Sequence, residues 1–565
     1  MTDLLAGADW VQVVVLTAAA VTALLLTVRP LIASAHALQQ DDYSNRRFLG
    51  WLLASRTRLV DWPLEAGYIF AVVAQAWEST MRLLPGTTHD YGAFGLPFVS
   101  ISLIVRLLRG PKRPPQKKPL VYTGRVRRLL VLSIGLAVLL YLVGFLAVSK
   151  IAEGSGMAAA YCPGLAVLAM GAVVTLTAPL IAMLANFILW PVQAFINWTY
   201  RFRAGRKLRR FGPMVVGITG SYGKTSTKYF TEALMESRYR VLKTRASFNT
   251  ILGICRAVNE ELGPEHQAFI VEMGAYRRGE IRDMARLTRP HIGVLTAIGP
   301  QHLERFGSIE IIEQAKFELL QALPADGIAV INNDDPRVRR LAGGLQGPKI
   351  WRYGIDYSGG ELDLRAADIE HGPDGLTFDL IDREGKRVTV KTRLIGLHNV
   401  SNILAAASVA RAADVSLREI AGAIGRLQPV PHRLEVHTGG DGVTIIDDAY
   451  NSNPVGAAGA LAALAEFKTG RKILVTPGMV ELGEEQDARN EEFGAAAARV
   501  CDYIILVGRN QTAAIRRGIF AAGFGADRAI SVANLNSGLE AMKGIVRAGD
   551  VVLFENDLPD LYDEE

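Results

Sequence analysis

From Gly154 to Tyr200 the chain carries no charged side chain, a run of 47 residues. About 20 apolar residues cross a bilayer, so this run has room for one spanning helix, expected around 164–189. Trp190, Trp198 and Tyr200 follow, residue types that favour the headgroup level. Two further uncharged runs, the 19 residues Trp10–Val28 and the 21 residues Leu129–Ser149, are each long enough for one span. The runs 66–77 and 91–105, of 12 and 15 residues, fit short spans, a re-entrant hairpin or interfacial helices equally. Three or five spans result. A secretory signal is the bland alternative for the first run, but it lacks a basic stretch before it.

Charge sets the orientation. Residues 1–210 hold 22 Lys+Arg against 9 Asp+Glu, whereas 211–565 hold 40 against 47. The formal charge of +6 therefore belongs to the front of the chain, beside the apolar runs. Basic residues cluster at 106–128 and 201–210, and the connection 149–163 carries only Lys150 and Glu153. The positive-inside rule places 106–128 and everything after 201 in the cytoplasm, with the N-terminus outside. A multi-pass protein of the cytoplasmic membrane is expected. The clusters act as topology determinants that also touch anionic lipid. No nucleic-acid partner is expected, because the positive excess is not carried by a folded, groove-shaped domain. Cys162, Cys255 and Cys501 form no CxxC pair, which excludes a disulfide framework or a zinc knuckle as the organising feature.

Residues 213–218 read as a buried strand. Gly220-Ser221-Tyr222-Gly223-Lys224-Thr225-Ser226 follows at once, then a helical pattern over 227–237. Strand, Gly-rich turn, Lys-Thr/Ser and helix is the context of a phosphate-binding loop. Backbone N–H groups and the helix N-terminus face the phosphates, Lys224 reaches the terminal ones, and Thr225 is placed to ligate Mg²⁺. The common GxxxxGK[ST] pattern wants glycine at 218, where this chain has Ile218. Many P-loop ATPases and GTPases are thereby disfavoured. Further on, Glu272 ends a buried strand at the carboxyl edge of a sheet, where ligands of open α/β sheets sit. A carboxylate there suits Mg²⁺, and the His302 imidazole suits a second metal position.

The loop variant TGSYGKTS resembles the Mur ligases, the ATP-dependent amide-forming family of peptidoglycan assembly. The resemblance extends through SFNTILG (247–253), VEMGA (271–275), RRGEI (277–281), TAIGPQHLERFGS (296–308), QAKFELL (314–320), INNDD (331–335) and LIGLHNVSNILAAASVA (394–410). It implies that Asn399 and Asn402 lie in the element that holds adenine. It implies that Lys316 corresponds to the family's carbamylated lysine, a metal ligand once it bears a carboxylate, and that Asn249 approaches substrate. PHRLEV (431–436) resembles the segment whose arginine, here Arg433, approaches the ATP phosphates. IDDAYNSNP (446–454) and GMVELGEEQ (478–486) resemble the branch that adds D-alanyl-D-alanine. The resemblance places Asp447 near the nucleotide and Asn451 and Asn453 in the cleft between domains. The simpler structural alternative is a turn and helix N-cap, with Asn453-Pro454 starting the helix.

The resemblance covers roughly 212–555 and implies acyl-phosphate formation. The γ-phosphoryl of ATP passes to a carboxylate, and an amine then attacks the activated carbonyl. Lys224, Glu272, His302 and Lys316 are the expected catalytic set. ATP contacts come from Gly220 to Ser226, Asn399, Asn402, Arg433 and Asp447, and metal contacts from Thr225, Glu272, His302 and Lys316. From about 431 a second α/β pattern begins, with strands near 443–447, 472–476, 503–507 and 550–554. The expected fold is an α-helical membrane region (1–210), a P-loop central α/β domain (211–430) and a Rossmann-like C-terminal α/β domain (431–565).

Two departures concern substrate recognition. Membrane helices stand where soluble members carry a UDP-sugar domain, and LFENDLPDLY (553–562) replaces the branch's Lys-Gly-Ser-Arg element with acidic residues. The expected activity is therefore a membrane-anchored ligase joining an amino acid or dipeptide amine to a nucleotide- or lipid-linked carboxylate. A poly-γ-glutamate or other envelope-polymer synthase with the same core is the sibling reading. A non-catalytic ATP-binding scaffold is disfavoured by the intact Lys224, Glu272, His302 and Lys316.

Overall fold

The structure is a computed structural model that describes residues 28–40, 43–54, 120–154, 162–245, 248–355, 361–440, 442–450 and 452–557. The chain divides into two compact units, Met1–Ile196 and Asn197–Glu565. The first unit is helical: a helix over 28–40, then Asn45–Ala54, Gly124–Gly154 and Cys162–Ile188, the last with Pro179 inside it. Its small core joins Ala35, Leu38, Phe48, Leu129, Ala182 and Ala185. The two long helices also turn Val131, Leu139, Leu142, Leu146, Leu176 and Leu180 outward, an apolar exposure that water does not favour.

Among the described residues one stretch, Gly124–Gly144, is by itself long and apolar enough to cross a membrane. Val173–Ile188 and Trp190–Phe211 meet the combined requirement of length and hydropathy only together, as a bent pair. Apart from Val28, the run 10–28 lies outside the described residues, as do the runs 66–77 and 91–105.

The second unit holds two sheets. The larger contains β1 (Met214–Thr219), β2 (Val241–Lys243), β3 (Ala268–Glu272), β4 (Ile292–Leu295), β5 (Ile328–Asn332), β6 (Lys349–Gly354), β7 (Leu364–Gly372), β8 (Gly375–Asp382) and β9 (Arg387–Thr392). Their order is β2-β3-β1-β4-β5-β6-β7-β8-β9, parallel as far as β7 and antiparallel at β8 and β9. The central strands are apolar on both faces, as covered parallel strands must be. Helices Lys224–Met235, His398–Ala412 and Leu417–Ile424 cover one face through Phe230, Leu234, Ile403, Leu404 and Ile420. Helices Ile251–Glu261, Glu280–Thr288 and Ile309–Gln321 cover the other through Ile254, Val258, Ile281, Ile312 and Leu319. Helix Trp190–Phe211 contributes Ala204 and Leu208 to that second core. The stretch 197–211 thus packs with the sheet unit, on both sides of the domain boundary expected at 210/211.

The smaller sheet contains β10 (Glu435–Thr438), β11 (Thr444–Asp448), β12 (Lys472–Thr476), β13 (Tyr503–Val507), β14 (Ala529–Val532) and β15 (Val551–Glu555), ordered β10-β11-β15-β12-β13-β14. Only the β10–β11 pair is antiparallel. The strand latest in sequence lies inside the sheet, between β11 and β12.

Candidate functional site

β1 and β3 run parallel with Ile218 opposite Glu272, so the carboxylate ends its strand one residue short of the loop that leaves β1 after Thr219. That loop demands its glycines. Gly223 sits at φ +78, and a Cβ on it would lie 2.3 Å from Asn402 Oδ1. A Cβ on Gly220 would lie 2.0 Å from Thr296 Oγ1. The loop is pinned to the segment after β4: the Ser221 N–H donates to Ala297 O at 2.7 Å, and the Gly299 N–H donates to Ser221 Oγ at 3.0 Å. The buried Tyr222 hydroxyl has no hydrogen-bond partner among the described residues.

Helix Lys224–Met235 starts directly at the loop, aiming its free N–H groups there. Lys224 Nζ folds back onto the carbonyls of Gly220 (2.7 Å) and Ser221 (3.0 Å) and onto Gln301 Oε1 (3.3 Å). Burial lowers its pKa to about 8; Glu272 opposes that shift and Arg433 adds to it. A phosphate would restore the ammonium's stability. Arg433 belongs to the segment entering the smaller sheet, so the arginine expected near the phosphates is electrostatically coupled to the loop. Its guanidinium stacks over Tyr450 at 4.7 Å. Asn402 touches the loop from helix His398–Ala412, and its amide donates to Asn399 Oδ1 at 3.2 Å.

Thr225 Oγ1 lies 3.2 and 3.3 Å from the two oxygens of Glu272. Lys228, one turn further along the helix, forms an ion pair with Glu272 Oε2 at 2.9 Å, the two side chains being 0% and 3% exposed. His302 has φ +57 and hydrogen-bonds through Nδ1 to Glu481, which also meets Arg305 at 3.2 Å. Burial lowers the His302 pKa, and Glu481 opposes it. Lys316 is 2% exposed and has no carboxylate partner among the described residues. Burial, with Lys224 adding to it, holds its pKa well below the usual lysine value.

Of the four residues expected to ligate metal, Thr225 and Glu272 lie together, His302 hydrogen-bonds to Glu481, and Lys316 is buried as an amine. No group of three His, Cys, Asp or Glu side chains fit to hold a metal ion occurs among the described residues. The Thr225 hydroxyl and Glu272 carboxylate do fit a hard cation as an oxygen pair. His302 is engaged by Glu481, and the Lys316 amine lacks the oxygen that carbamylation would supply.

Other expected residues are placed as follows. Asn249 is on a loop against Gly274, whose N–H donates to the Asn249 carbonyl at 2.9 Å. Asp447 pairs with His432 at 2.7 Å. Asn453 caps helix Pro454–Ala465, its side chain accepting from the Gly456 N–H at 2.9 Å; in this arrangement it acts as a helix cap. Asn451 lies outside the described residues. Lys228, Gln301 and Glu481 were not anticipated. Lys228 follows Lys224 by one helical turn, a spacing that puts both on one side of the helix.

Comparison with known proteins agrees with this geometry. The family model described as the Mur ligase middle domain matches residues 218–410, and that described as Mur ligase, glutamate ligase domain, matches 432–555. The UDP-N-acetylmuramoyl-tripeptide–D-alanyl-D-alanine ligase of Mycobacterium tuberculosis is 36% identical over 372 residues, 60% of this chain and 70% of that protein. The Escherichia coli protein of the same name is 33% identical over 300 residues, 53% and 65% of the two chains. The MurF ligase of Thermotoga maritima, solved in complex with ADP, superposes with a TM-score of 0.56 at 28% identity, over 64% of this chain and 80% of that one.

Proposed function

Since the chain belongs to the Mur ligase family and is a MurF-like ATP-dependent ligase of peptidoglycan synthesis, we propose that it joins a D-alanyl-D-alanine-like amine to a carboxylate at a membrane. The observation that carries the reaction is the convergence of Lys224, Thr225 and Glu272 where the loop meets its helix. Swinging off the Gly220 and Ser221 carbonyls, Lys224 gains the terminal phosphates as its counter-charge. The loop N–H groups and the helix N-terminus hold the phosphate oxygens, and Arg433 approaches from the other domain to neutralise charge on the transferring group. Asn399 and Asn402 face the base. Thr225 and Glu272 are the residues that would hold Mg²⁺, which supplies charge neutralisation on the phosphates. Burial disfavours the ammonium form of Lys316, and the neutral amine is the form of lysine that captures carbon dioxide as a carbamate.

The membrane setting is supported by the apolar stretch Gly124–Gly144 and by the outward-turned leucines of the first unit. In this reading the first unit anchors the ligase to the cytoplasmic membrane and the catalytic domains face the cytoplasm. The acceptor carboxylate is nucleotide- or lipid-linked. Glu555 and Asn556 stand where the D-alanyl-D-alanine branch has a basic element, which supports an altered acceptor.

Membranes carrying wild-type or Lys224→Ala protein, given ATP, labelled D-alanyl-D-alanine or labelled glutamate, and lipid extracts or nucleotide precursors, test the proposal by mass spectrometry. The wild type should label an acceptor and release phosphate in an amine-dependent way, and Lys224→Ala should do neither. Absence of ATP turnover with every carboxylate and amine pair would end the ligase assignment. Label on UDP-muramoyl peptides alone would exclude the lipid-linked acceptor.

A further inference from the structure

Residues 211–565 carry more acid than base, yet one helix of that unit gathers unpaired arginines. Arg278, Arg282, Arg286 and Arg289 recur at about one helical turn along Glu280–Thr288 and its flanks, and all four are exposed. They line an open groove of 830 Å³ shared with Gln314, Phe317 and Gln321 of helix Ile309–Gln321. The one acid in the groove, Glu318, is already committed: it accepts from the N–H groups of Gly279 (2.7 Å) and Arg282 (3.1 Å) and so caps the helix. None of the four guanidiniums has an ion-pair partner among the described residues, although Arg277 next door pairs with Glu280. Arg282 and Arg286 lie on the helix beside Glu280 and Asp283 of its first turn, and Arg278 and Arg289 flank it; like charges at this spacing repel one another unless an anion is near.

The opposite flank of the same helix continues the charge. Leu287 lies 3.6 Å from where a Cβ on Gly205 would stand. This seats the stretch 197–211 beside the arginine helix, Ala204, Gly205 and Leu208 facing inward. Its outward residues are Arg201, Arg203, Arg206, Arg209 and Arg210. Ahead of and among them stand Trp198 and Phe202, 57% and 49% exposed and stacked at 5.5 Å. Exposed aromatics followed by arginines make up the composition of a surface seated at lipid headgroups.

We infer that the two adjacent helices, with the groove arginines Arg278, Arg282, Arg286 and Arg289, form a docking face by which the ligase unit itself lies against an anionic lipid surface. The inference takes from the proposed function only its membrane setting and is independent of the reaction. Charge complementarity selects the occupant. The groove is open rather than shaped to a single phosphate, and the exposed aromatics add an apolar contact that a soluble anion leaves unused. Docking orients the unit, so that acceptors tethered to the bilayer are presented within a limited distance of it.

The test uses the full chain with Gln321→Cys in a Cys162→Ser background; Cys255 and Cys501 are buried. A polarity-sensitive fluorophore on residue 321 reports the groove without changing its charge. The protein is reconstituted into phosphatidylcholine vesicles with or without phosphatidylglycerol. Anionic vesicles should shift the emission blue and shield the label from iodide, neutral vesicles should do neither, and about 1 M salt should reverse the effect. Arg282→Gln/Arg286→Gln/Arg289→Gln should remove the shielding while leaving ATP turnover with soluble substrates intact. Each surface arginine strengthens contact with an anionic leaflet about fivefold, so the triple variant loses roughly a hundredfold. Equal shielding in both lipids, an unaffected triple variant, or the same shift with millimolar inorganic phosphate or RNA in place of vesicles would overturn the inference. If the protein fails to stay with neutral vesicles, the membrane anchor fails. Flotation of that soluble protein with anionic vesicles would still support docking, and its absence would overturn it.

Discussion

Replacing Lys228 with methionine tests the electrostatic frame beneath the phosphate loop. Methionine keeps most of the aliphatic stem and removes the ammonium, leaving Glu272 as a carboxylate 3% exposed with its 2.9 Å partner gone. Removing one member of a buried ion pair costs about 3–5 kcal/mol, because the remaining charge stays desolvated. The Thr225 hydroxyl offsets a part of this. For a domain of 150–250 residues each kcal/mol moves the melting temperature by about 2–4 °C. The central domain should therefore melt roughly 6–20 °C lower, by differential scanning calorimetry. Adding Glu272→Gln should recover a large share, since no charge is then left buried. A shift under about 3 °C, or a double variant no more stable than Lys228→Met, would refute the claim that the pair is a buried, mutually dependent unit.

Other outcomes follow from the same site and its neighbours. Gly223→Ala should weaken nucleotide binding tenfold or more by calorimetry, since a Cβ there is strained at φ +78 and lands 2.3 Å from Asn402 Oδ1; wild-type affinity would show that the loop is free to rearrange. Burial, with Asp448 adding to it, raises the Glu555 pKa from 4.5 to about 8. The folded state then holds a proton that the unfolded state has lost, so this group's stabilisation is complete below pH 4.5 and is lost as pH rises through 8. Glu555→Gln should remove that decline from the pH dependence of C-terminal domain unfolding. An unchanged slope between pH 5 and 8 would count against it.

The phosphate loop was legible because its chemistry is local: strand, glycines, lysine and helix are contiguous between Met214 and Met235. The partners that complete it are not. Glu481 reaches His302 across 179 positions, and no local pattern announces such a pair. Lys228 was hidden for another reason: a second lysine on a helix reads as solvated, and only the packing shows it to be buried. The antiparallel strands β7 to β9 went unread although Asp374-Gly375 marks their turn, because motif reading gave that stretch nothing to hold. Asn453 caps its helix, as its Pro454 neighbour had signalled, a local reading that stood beside the family motif. The Lys316 part of the metal expectation is not legible in residues alone, because a lysine contributes an oxygen only after covalent change.

The position of β15 has a consequence for how the chain is made. It lies between β11 and β12, which do not pair with each other, so the smaller sheet has a gap at its centre until residues 551–555 leave the ribosome. At ordinary synthesis rates that wait is on the order of ten seconds. The larger sheet, complete by Thr392, is free to form before then. During the wait β11 and β12 each present an unpaired edge of apolar strand, the state most prone to wrong pairing. The arginine-bearing helices belong to the sheet that finishes first. On the docking proposed above, a nascent chain is able to settle on an anionic lipid surface while the C-terminal domain is still open.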